Sequence, residues 1–460
     1  MLNMLSIGKQ ALSTTEKNLE VTAHNIANAN TEGYSRQRII QEASTPLNDA
    51  NGNYGSGVSI VRLERMRDLR LDTEFRNLNS NTGYWESMSS NLQELEKSVV
   101  ETSEYGIGTM INNFFNKWEA LANNPYSEVH RIDVIDATTQ MTESFKGLNM
   151  AIEDTRDNLK FSLKDTANRI NEISDELASL SNQISQNKIN NKPANDYLDK
   201  FDLLIDELSQ YGNVQVHERE NGTMSVYFGT DELVRNDVSN KLIYTESTNL
   251  ESNEEEAYLI WDNTKSKISG LTSGSLKSMY DLRDTVLPEY KTKLDDLAVQ
   301  IAEKVNEIHI KGYDMTEPAA SGRYFFNAEV TGVENFELSN EILSDPANIA
   351  VSGSGQIGDN QIALQITDLK YENVFDGKTI TEAFADYVYE IGRDVKTAGQ
   401  NAERTSMLSS QTDNFRESVK GVSMNEETAN LMKFQQAYQA AAKIITIADD
   451  IMTTIIGLVK

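Results

Sequence analysis

Four histidines, His24, His130, His217 and His309, lie far apart in a chain with no cysteine. Without cysteine there are no disulfides, thiolate zinc sites or cysteine nucleophiles. Each histidine reads as a surface or satisfied core residue rather than a metal ligand. Residues 353–358, GSGQIG, match the dinucleotide fingerprint by letter. A true site needs a strand before it and a helix opening on it. Here QIALQI follows, reading as much strand as helix, so no nucleotide site is predicted. NDANGNYG (48–55) lacks the acid that a calcium loop carries at its twelfth position, which is Ser59. It reads as a hairpin turn, ESNEEEA (251–257) as a solvated acidic loop, and Asn221-Gly222-Thr223 as a weak glycan match. No catalytic residue, metal or cofactor is predicted.

The densest polar pattern is HNIANANTEGYSRQ (24–37). Asn25, Asn28 and Asn30 close an amphipathic segment. Asparagine tolerates left-handed backbone and caps terminal carbonyls, so the run reads as a helix terminator. Gly33 supplies the turn, and Tyr34, Ser35, Arg36 and Gln37 begin a strand or linker. Asn25 and Asn28 share a face and are placed to hydrogen-bond a neighbouring subunit.

The elements around this run are regular. Leu5, Leu12, Leu19 and Ile26 recur at heptad spacing and predict a one-stripe helix ending near Ala29. SRQRIIQEAS and VSIVRLERM predict paired strands about the Asn51-Gly52 turn. Leu71, Phe75, Leu78, Trp85, Leu92 and Val99 mark one long helix. Leu163, Thr166, Ile170, Ile173, Leu177, Leu180 and Ile184 form a heptad seam, and Tyr290 to Ile308 mark another helix. In the C-terminal segment, Leu431, Phe434, Tyr438, Ala441, Ile445, Ala448, Met452, Ile455 and Val459 keep strict three-four spacing, with a second stripe from Ala437 to Leu458 beside it. Two stripes make a face too wide for one partner. The terminal helices, having no local partner in the free chain, are expected to order on assembly with copies of the same chain, pairing with each other to line the inner tube of a polymer.

The fold class is therefore mainly α with a β-rich part: terminal coiled-coil helices, a long helical bundle and a β-rich outer domain. Residues 1–47 and 424–460 form the terminal helices. Residues 48–211, 276–312 and 379–423 form the bundle, and 212–275 and 313–378 the β-rich outer part, as one domain or two. At 460 residues, two to four domains are expected. The net charge of −29 makes nucleic acid and anionic membranes poor partners. That charge avoids the ends. Residues 1–47 balance Lys9, Lys17, Arg36 and Arg38 against Glu16, Glu20, Glu32 and Glu42, so near-neutral ends can pack with copies of themselves. MLNMLSIGKQ lacks the charged and apolar regions of a secretory signal, and no apolar run of about 20 residues predicts a membrane span.

HNIANANTEGYSRQ resembles the N-terminal signature of the flagellar axial proteins, the family of rod, hook and hook-associated subunits. Its YSRQ continuation is most similar to the hook-associated branch. FFNKWEALANNPYSEVHR (114–131), GSLKSMYDLRDTVLPEYKTKLDDLAVQIAEKVNEIHIKGYD (274–314), GRYFF (322–326) and GDNQIAL (358–364) resemble further family segments. YLDKFDLLIDELSQYGNVQV (197–216) resembles another, with Phe201 where arginine is usual. Residues 421–456 resemble the C-terminal signature, with Asn425 where aspartate is commoner. The resemblance implies a structural, non-enzymatic subunit of the zone joining hook to filament, with a hook or rod subunit as the alternative. It implies an extracellular place in the bacterial flagellum, reached through the flagellar type III apparatus. The implied partners are further copies of the chain in a ring or short tube, the hook protein and a second hook-associated junction protein. A cytoplasmic export chaperone would hold the C-terminal helix.

Overall fold

The computed structural model describes residues 2–49, 52–99, 106–248, 255–316, 319–356 and 358–458. Helix α1 (Leu2–Ala27) is followed by β1 (Gln37–Ala43), β2 (Leu47–Asp49), β3 (Gly52–Tyr54) and β4 (Val58–Arg65). Strand β1 pairs antiparallel with β4, Gln37 opposite Arg65, with one irregularity between Ile40 and Gln41. β2 and β3 form the hairpin tip expected of Asn51-Gly52, although Asn51 lies outside the described residues. The acidic loop of 251–254 and Val459 also lie outside them.

Four helices follow: α2 (Leu69–Val99), α3 (Ile107–Asn123), α4 (Glu128–Ile189) and α5 (Asn195–Tyr211). Ser127 starts α4 by accepting a hydrogen bond from the His130 N–H at 3.3 Å. This 62-residue helix threads two hydrophobic cores. Its first half buries Val134, Met141, Phe145 and Ile152 in one, and its second buries the seam from Leu163 to Ile184 in the other.

The second core is completed by α5 and by the β-rich region. Strands β5 (Val214–Glu218), β6 (Met224–Phe228), β7 (Asp231–Arg235) and β8 (Val238–Ser239) form a sequential antiparallel sheet. β9 (Leu242–Thr248) and β10 (Glu255–Trp261) form a separate antiparallel pair. Phe228, Leu233, Leu259 and Trp261 point from these strands into the core.

Helices α6 (Ser275–Asp281) and α7 (Leu287–His309) are joined by a π-helical turn over Leu282–Val286, where the Leu287 N–H bonds the Leu282 carbonyl. Pro288 offers no N–H, and its ring would crowd the carbonyl four residues back; the wide turn accommodates it.

Residues 313–378 depart from the β-rich expectation. Among the described residues they hold isolated bridges, short helical turns, α8 (Asn340–Ser344) and α9 (Gln361–Asp368). Phe325, Phe326, Phe336, Ile349 and Ile362 are buried in the first core, with α3, α4 and α7. Glycines, serines and Asp-Gly turns were compatible with hairpins, but the apolar residues between them are aromatic plugs for the bundle. This segment therefore shares no core with residues 212–275.

Helix α10 (Ile380–Lys420) runs along α2, and α11 (Met424–Leu458) runs antiparallel along α1. The two terminal helices are thus each other's local partners, contrary to the expectation that they have none.

Candidate assembly site and the joint behind it

Gly8 sets how closely α1 and α11 approach. A Cβ there would lie 2.9 Å from Ile445 Cγ1 and 3.3 Å from Ile444 Cγ2. Ala441 and Ala448 are buried on the α11 side, where small side chains admit the neighbouring backbone. The remaining stripe residues are less covered. Leu5, Leu12, Leu19, Ile26, Leu431, Phe434, Ile445 and Met452 are half-buried, while Tyr438 and Ile455 stay 37% and 41% exposed. The fully buried line of α1 is a different one and is polar: Thr14, Asn18, Thr22 and Asn25. Asn18 is satisfied within its own helix, donating to the Thr14 carbonyl at 2.8 Å.

Asn25 is the centre of the joint. Its amide nitrogen donates to the Gln37 carbonyl at 2.9 Å and to Glu427 Oε2 at 3.2 Å. Its oxygen accepts from the Tyr34 hydroxyl at 2.7 Å and the Gln37 N–H at 3.0 Å. Two donors and two acceptors exhaust an asparagine side chain, and the residue is 2% exposed. Asn25 therefore cannot reach a neighbouring subunit as the sequence alone allowed. Asn28 does act as terminator, donating to the His24 carbonyl at 3.0 Å. Asn30 is exposed, and Gly33 takes φ +76° in the turn.

The rest of the signature ties two more elements, α5 and α10, to this point and strengthens the hold on α11. The Ser35 N–H donates to Asp199 and Gln37 Nε2 to Asp196, both on α5. The Arg36 N–H donates to the Lys420 carbonyl ending α10. The Arg36 guanidinium pairs with Glu426 at 2.9 Å and Glu427 at 2.6 Å at the start of α11. Burial, with Asp196, Asp199 and Glu427 nearby, pushes the Tyr34 phenol well above its ordinary range, so it remains a hydrogen-bond donor.

Behind the signature lies a belt of charge that sequence reasoning missed. Asp199, Asp202 and Asp206 share one face of α5. Arg65 pairs with Asp199 and Asp202 at 2.9 and 2.8 Å, and Arg67 with Asp72 and Asp202 at 2.8 Å each. Arg76 pairs with Asp202 and Asp206 at 2.9 and 2.7 Å. Arg416 reaches Asp72 at 2.9 Å, Asp413 at 3.1 Å, and also Asp206. Burial alone would raise the carboxyls of Asp72 and Asp202; the arginines outweigh it and hold both below their usual range. The alternation Arg65-x-Arg67 at the end of a strand and the three-four spacing of the aspartates were the available signals.

The other candidate chemistry resolves into structure. His309 is buried, its Nδ1 bonded to the Arg323 carbonyl at 2.8 Å and its Nε2 accepting from the Ala350 N–H at 2.9 Å. In the glycine-rich loop, Asp359 accepts from the N–H groups of Gly353, Ser354 and Gln361 and from the hydroxyls of Ser352 and Ser354. A carboxylate of the chain itself occupies the place a phosphate would need. Among the described residues no group of three or more His, Asp or Glu is placed to hold a metal, and no helix is long and apolar enough to cross a membrane.

Comparison with known proteins assigns the parts. Residues 92–326 match the family described as the flagellar hook-associated protein FlgK helical domain. Residues 5–34 match the flagella basal body rod protein family, and 418–458 the C-terminal family of the rod proteins FlgEFG. The chain is 29% identical to flagellar hook-associated protein 1 of Bacillus subtilis, over 98% of this chain and 97% of that one. It is 22% identical to the protein of the same name from Escherichia coli, over all of both chains. The flagellar hook junction protein FlgK of Burkholderia pseudomallei has a similar fold, with TM-score 0.65 at 15% identity, covering 76% of this chain and 100% of that one.

Proposed function

Because the chain belongs to the family of flagellar hook-associated proteins called FlgK, we propose that it is the subunit joining hook to filament and that it polymerises through the paired helices α1 and α11. Members of this family are structural components of the bacterial flagellum rather than enzymes. The observation that carries the finer reading is the incomplete burial of the α1–α11 pair. Tyr438, Ile447, Ile451, Ile455 and Ile456 remain exposed on α11, an apolar face that a surrounding ring of identical pairs would cover. The near-neutral charge of both ends removes the repulsion that the rest of the chain would impose.

In this reading residues 1–47 and 424–460 form the inner core of the polymer, the bundle surrounds it, and residues 212–275 lie outermost. The hook protein would contact one side and a second hook-associated protein the other, and a cytoplasmic chaperone would cover α11 before export through the type III apparatus. A hook or rod subunit is the weaker alternative. The rod-type matches are confined to the two ends, whereas the match over residues 92–326 is to the hook-associated helical domain.

Deleting the gene should leave hooks without filaments, with filament protein shed into the medium; normal filaments would overturn the junction role. Residues 1–45 and 424–460 should be cut by protease faster in the free chain, where α1 and α11 rest chiefly on each other, than in assembled flagella. Equal protection in both would remove the assembly role of the ends.

A further inference from the structure

A groove of about 350 Å³ lies between α7, the turn at residues 375–378 and the first turns of α10. Its floor is Leu297, Phe375 and Tyr387, all buried in the first core. Its rim is charged. Lys293 pairs with Glu390 at 2.6 Å and Lys378 with Asp386, and these four charges cancel. Asp296 and Asp376 are left over. Both are exposed, and among the described residues neither has a hydrogen bond or an ion pair. The charges just beyond the groove are engaged elsewhere: Glu382 caps Thr379, Asp295 accepts from the Val333 N–H, and Arg393 is held by Asp394. Backbone fixes Asp376 at the rim. Phe375 and Lys378 exchange both backbone hydrogen bonds, at 3.1 and 2.8 Å, and Asp376 and Gly377 between them take φ +45° and +85°. Aspartate and glycine are the residues that such a left-handed two-residue turn accommodates.

The floor holds a further unused group. Tyr387 is 4% exposed, and its hydroxyl has no hydrogen-bond partner among the described residues, although buried polar atoms are nearly always paired. Burial, with Asp295 and Glu390 nearby, pushes this phenol well above its ordinary range, so it stays protonated. Its oxygen can accept a bond from a donor that enters the groove. Two carboxylates without a cation, an apolar and aromatic floor and an unused phenol oxygen together complement one kind of side chain. It has an aliphatic stem, a flat cationic head and several N–H donors. Arginine has all three, whereas lysine lacks the planar head that stacks on an aromatic ring. Among the described residues, every arginine of this chain except Arg131 and Arg404 already holds a carboxylate, and Arg131 is buried. A second copy could therefore offer Arg404 alone without breaking a pair. A chain of net charge −29 instead attracts the cation of another protein.

We propose that this groove receives an arginine side chain of a different protein, its stem over Leu297 and Phe375 and its guanidinium meeting Asp296, Asp376 and the Tyr387 oxygen. The site takes no residue from α1 or α11, so losing it would leave the assembly role of the terminal helices standing.

The test places 3-fluorotyrosine at position 387 of the full chain and follows its fluorine NMR signal. The probes are N-acetylarginine amide, N-acetyllysine amide and N-acetylglutamine amide. A saturable shift with the arginine probe, absent with the glutamine probe, supports the proposal. No saturable shift, or the same shift with glutamine, overturns it, and a lysine probe that binds as tightly overturns the choice of arginine. The double variant Asp296→Asn, Asp376→Asn alters two exposed side chains, and asparagine keeps the left-handed backbone at 376, so the melting temperature should hold. Its affinity for the arginine probe should fall roughly five-fold, as for loss of two exposed ion pairs. An unchanged affinity overturns the site. The source of the arginine is read in assembled flagella, with the photo-crosslinking residue p-benzoylphenylalanine at Gln300 on the α7 side of the groove and the linked peptides identified by mass spectrometry. A link to a different protein, lost when the arginine of the linked peptide is changed to glutamine, supports the proposal. A link to a second copy, through Arg404 or otherwise, overturns it, as does no link at all.

Discussion

Arg416 on α10 donates from Nε to the Asp72 carboxylate on α2 at 2.9 Å, though the two lie 344 positions apart in the chain. Both side chains are nearly inaccessible, and Asp206 and Arg67 extend the pair into the charge belt that joins α2, α5 and α10. Removing one member of a buried pair leaves its partner desolvated and uncompensated. Arg416→Ala should therefore destabilise the free chain by about 3 kcal/mol, at the low end for such a change because Asp72 keeps Arg67. Arg416→Lys should recover only part of this, since an ammonium cannot bridge Asp72, Asp206 and Asp413 at once. Chemical denaturation of the three proteins measures both differences.

Asn25 makes a second prediction, local rather than global. Asn25→Ala removes four hydrogen bonds and strands the Gln37 N–H in a buried site, although the Tyr34 hydroxyl keeps His24 Nδ1 and Glu427 keeps Arg36, for a cost of about 3 kcal/mol. That cost falls on the joint between α1, β1 and α11, since the two hydrophobic cores do not include it. Proteolysis should accelerate at residues 28–36 and 421–423, while amide exchange in α4 and α7 stays unchanged. Asn25→Asp should be worse at neutral pH, because it sets a second carboxylate beside Glu427, and should improve as the medium is acidified toward the carboxyl range.

The contrast between these sites shows what could be read from residues alone. The seam from Leu163 to Ile184, the two terminal helices and the paired strands β1 and β4 carry their information in local spacing, and the corresponding elements formed. The charge belt does not. Arg65, Arg67, Arg76 and Arg416 are charged residues on helices and strand ends, where charge ordinarily faces water. Only tertiary placement brings them to Asp72, Asp199, Asp202 and Asp206. Residues 313–378 misled for the opposite reason. Their glycines and serines give turn signals, while Phe325, Phe326 and Phe336 contribute to a distant core with no periodicity to announce it. In the terminal helices the heptad leucines are only half covered, and the buried line through Thr14, Asn18, Thr22 and Asn25 is polar, a pattern that hydropathy alone assigns to solvent. Phe201 is buried in the second core.

Acid should loosen the helical bundle before it titrates the charge belt. Burial lowers the His309 imidazole to about 4, from an ordinary 6.5. Its neutral form is specified by the structure, because Nε2 must accept from the Ala350 N–H. Between these two values the unfolded chain binds a proton that the folded chain refuses, so stability falls as pH drops through this window and levels off below it. The loss approaches roughly 3 kcal/mol by pH 4, at 1.36 kcal/mol per unit. The carboxyls of Asp72 and Asp202 are held below their usual range, so their contribution is present above the unfolded carboxyl value and is lost only at lower pH, as they protonate in the fold. Denaturation midpoints followed by Trp118 fluorescence, with its ring centroid 6.4 Å from that of His309, should fall between pH 7 and pH 4.5. His309→Gln should weaken the chain at pH 7 yet flatten that slope.

The last prediction concerns the closest approach of the terminal helices. A side chain at Gly8 would meet Ile445 Cγ1 at 2.9 Å, so the backbone of α1 lies against α11 only because position 8 has no Cβ. Gly8→Ala gains about 1 kcal/mol of helix propensity and loses it again to the contact, so the net change should be small. Gly8→Val adds two further carbons with no space to take them, and should cost about 2 kcal/mol of pairing. Ile445→Ala removes the atom in the way, so the double variant Gly8→Val, Ile445→Ala should recover most of what Gly8→Val loses. Amide exchange in α11 of the free chain reads the pairing directly, and filament-bearing hooks read its consequence. Strict additivity of the two substitutions would mean that residues 8 and 445 do not touch, and that the α1–α11 register described here is not the one in solution.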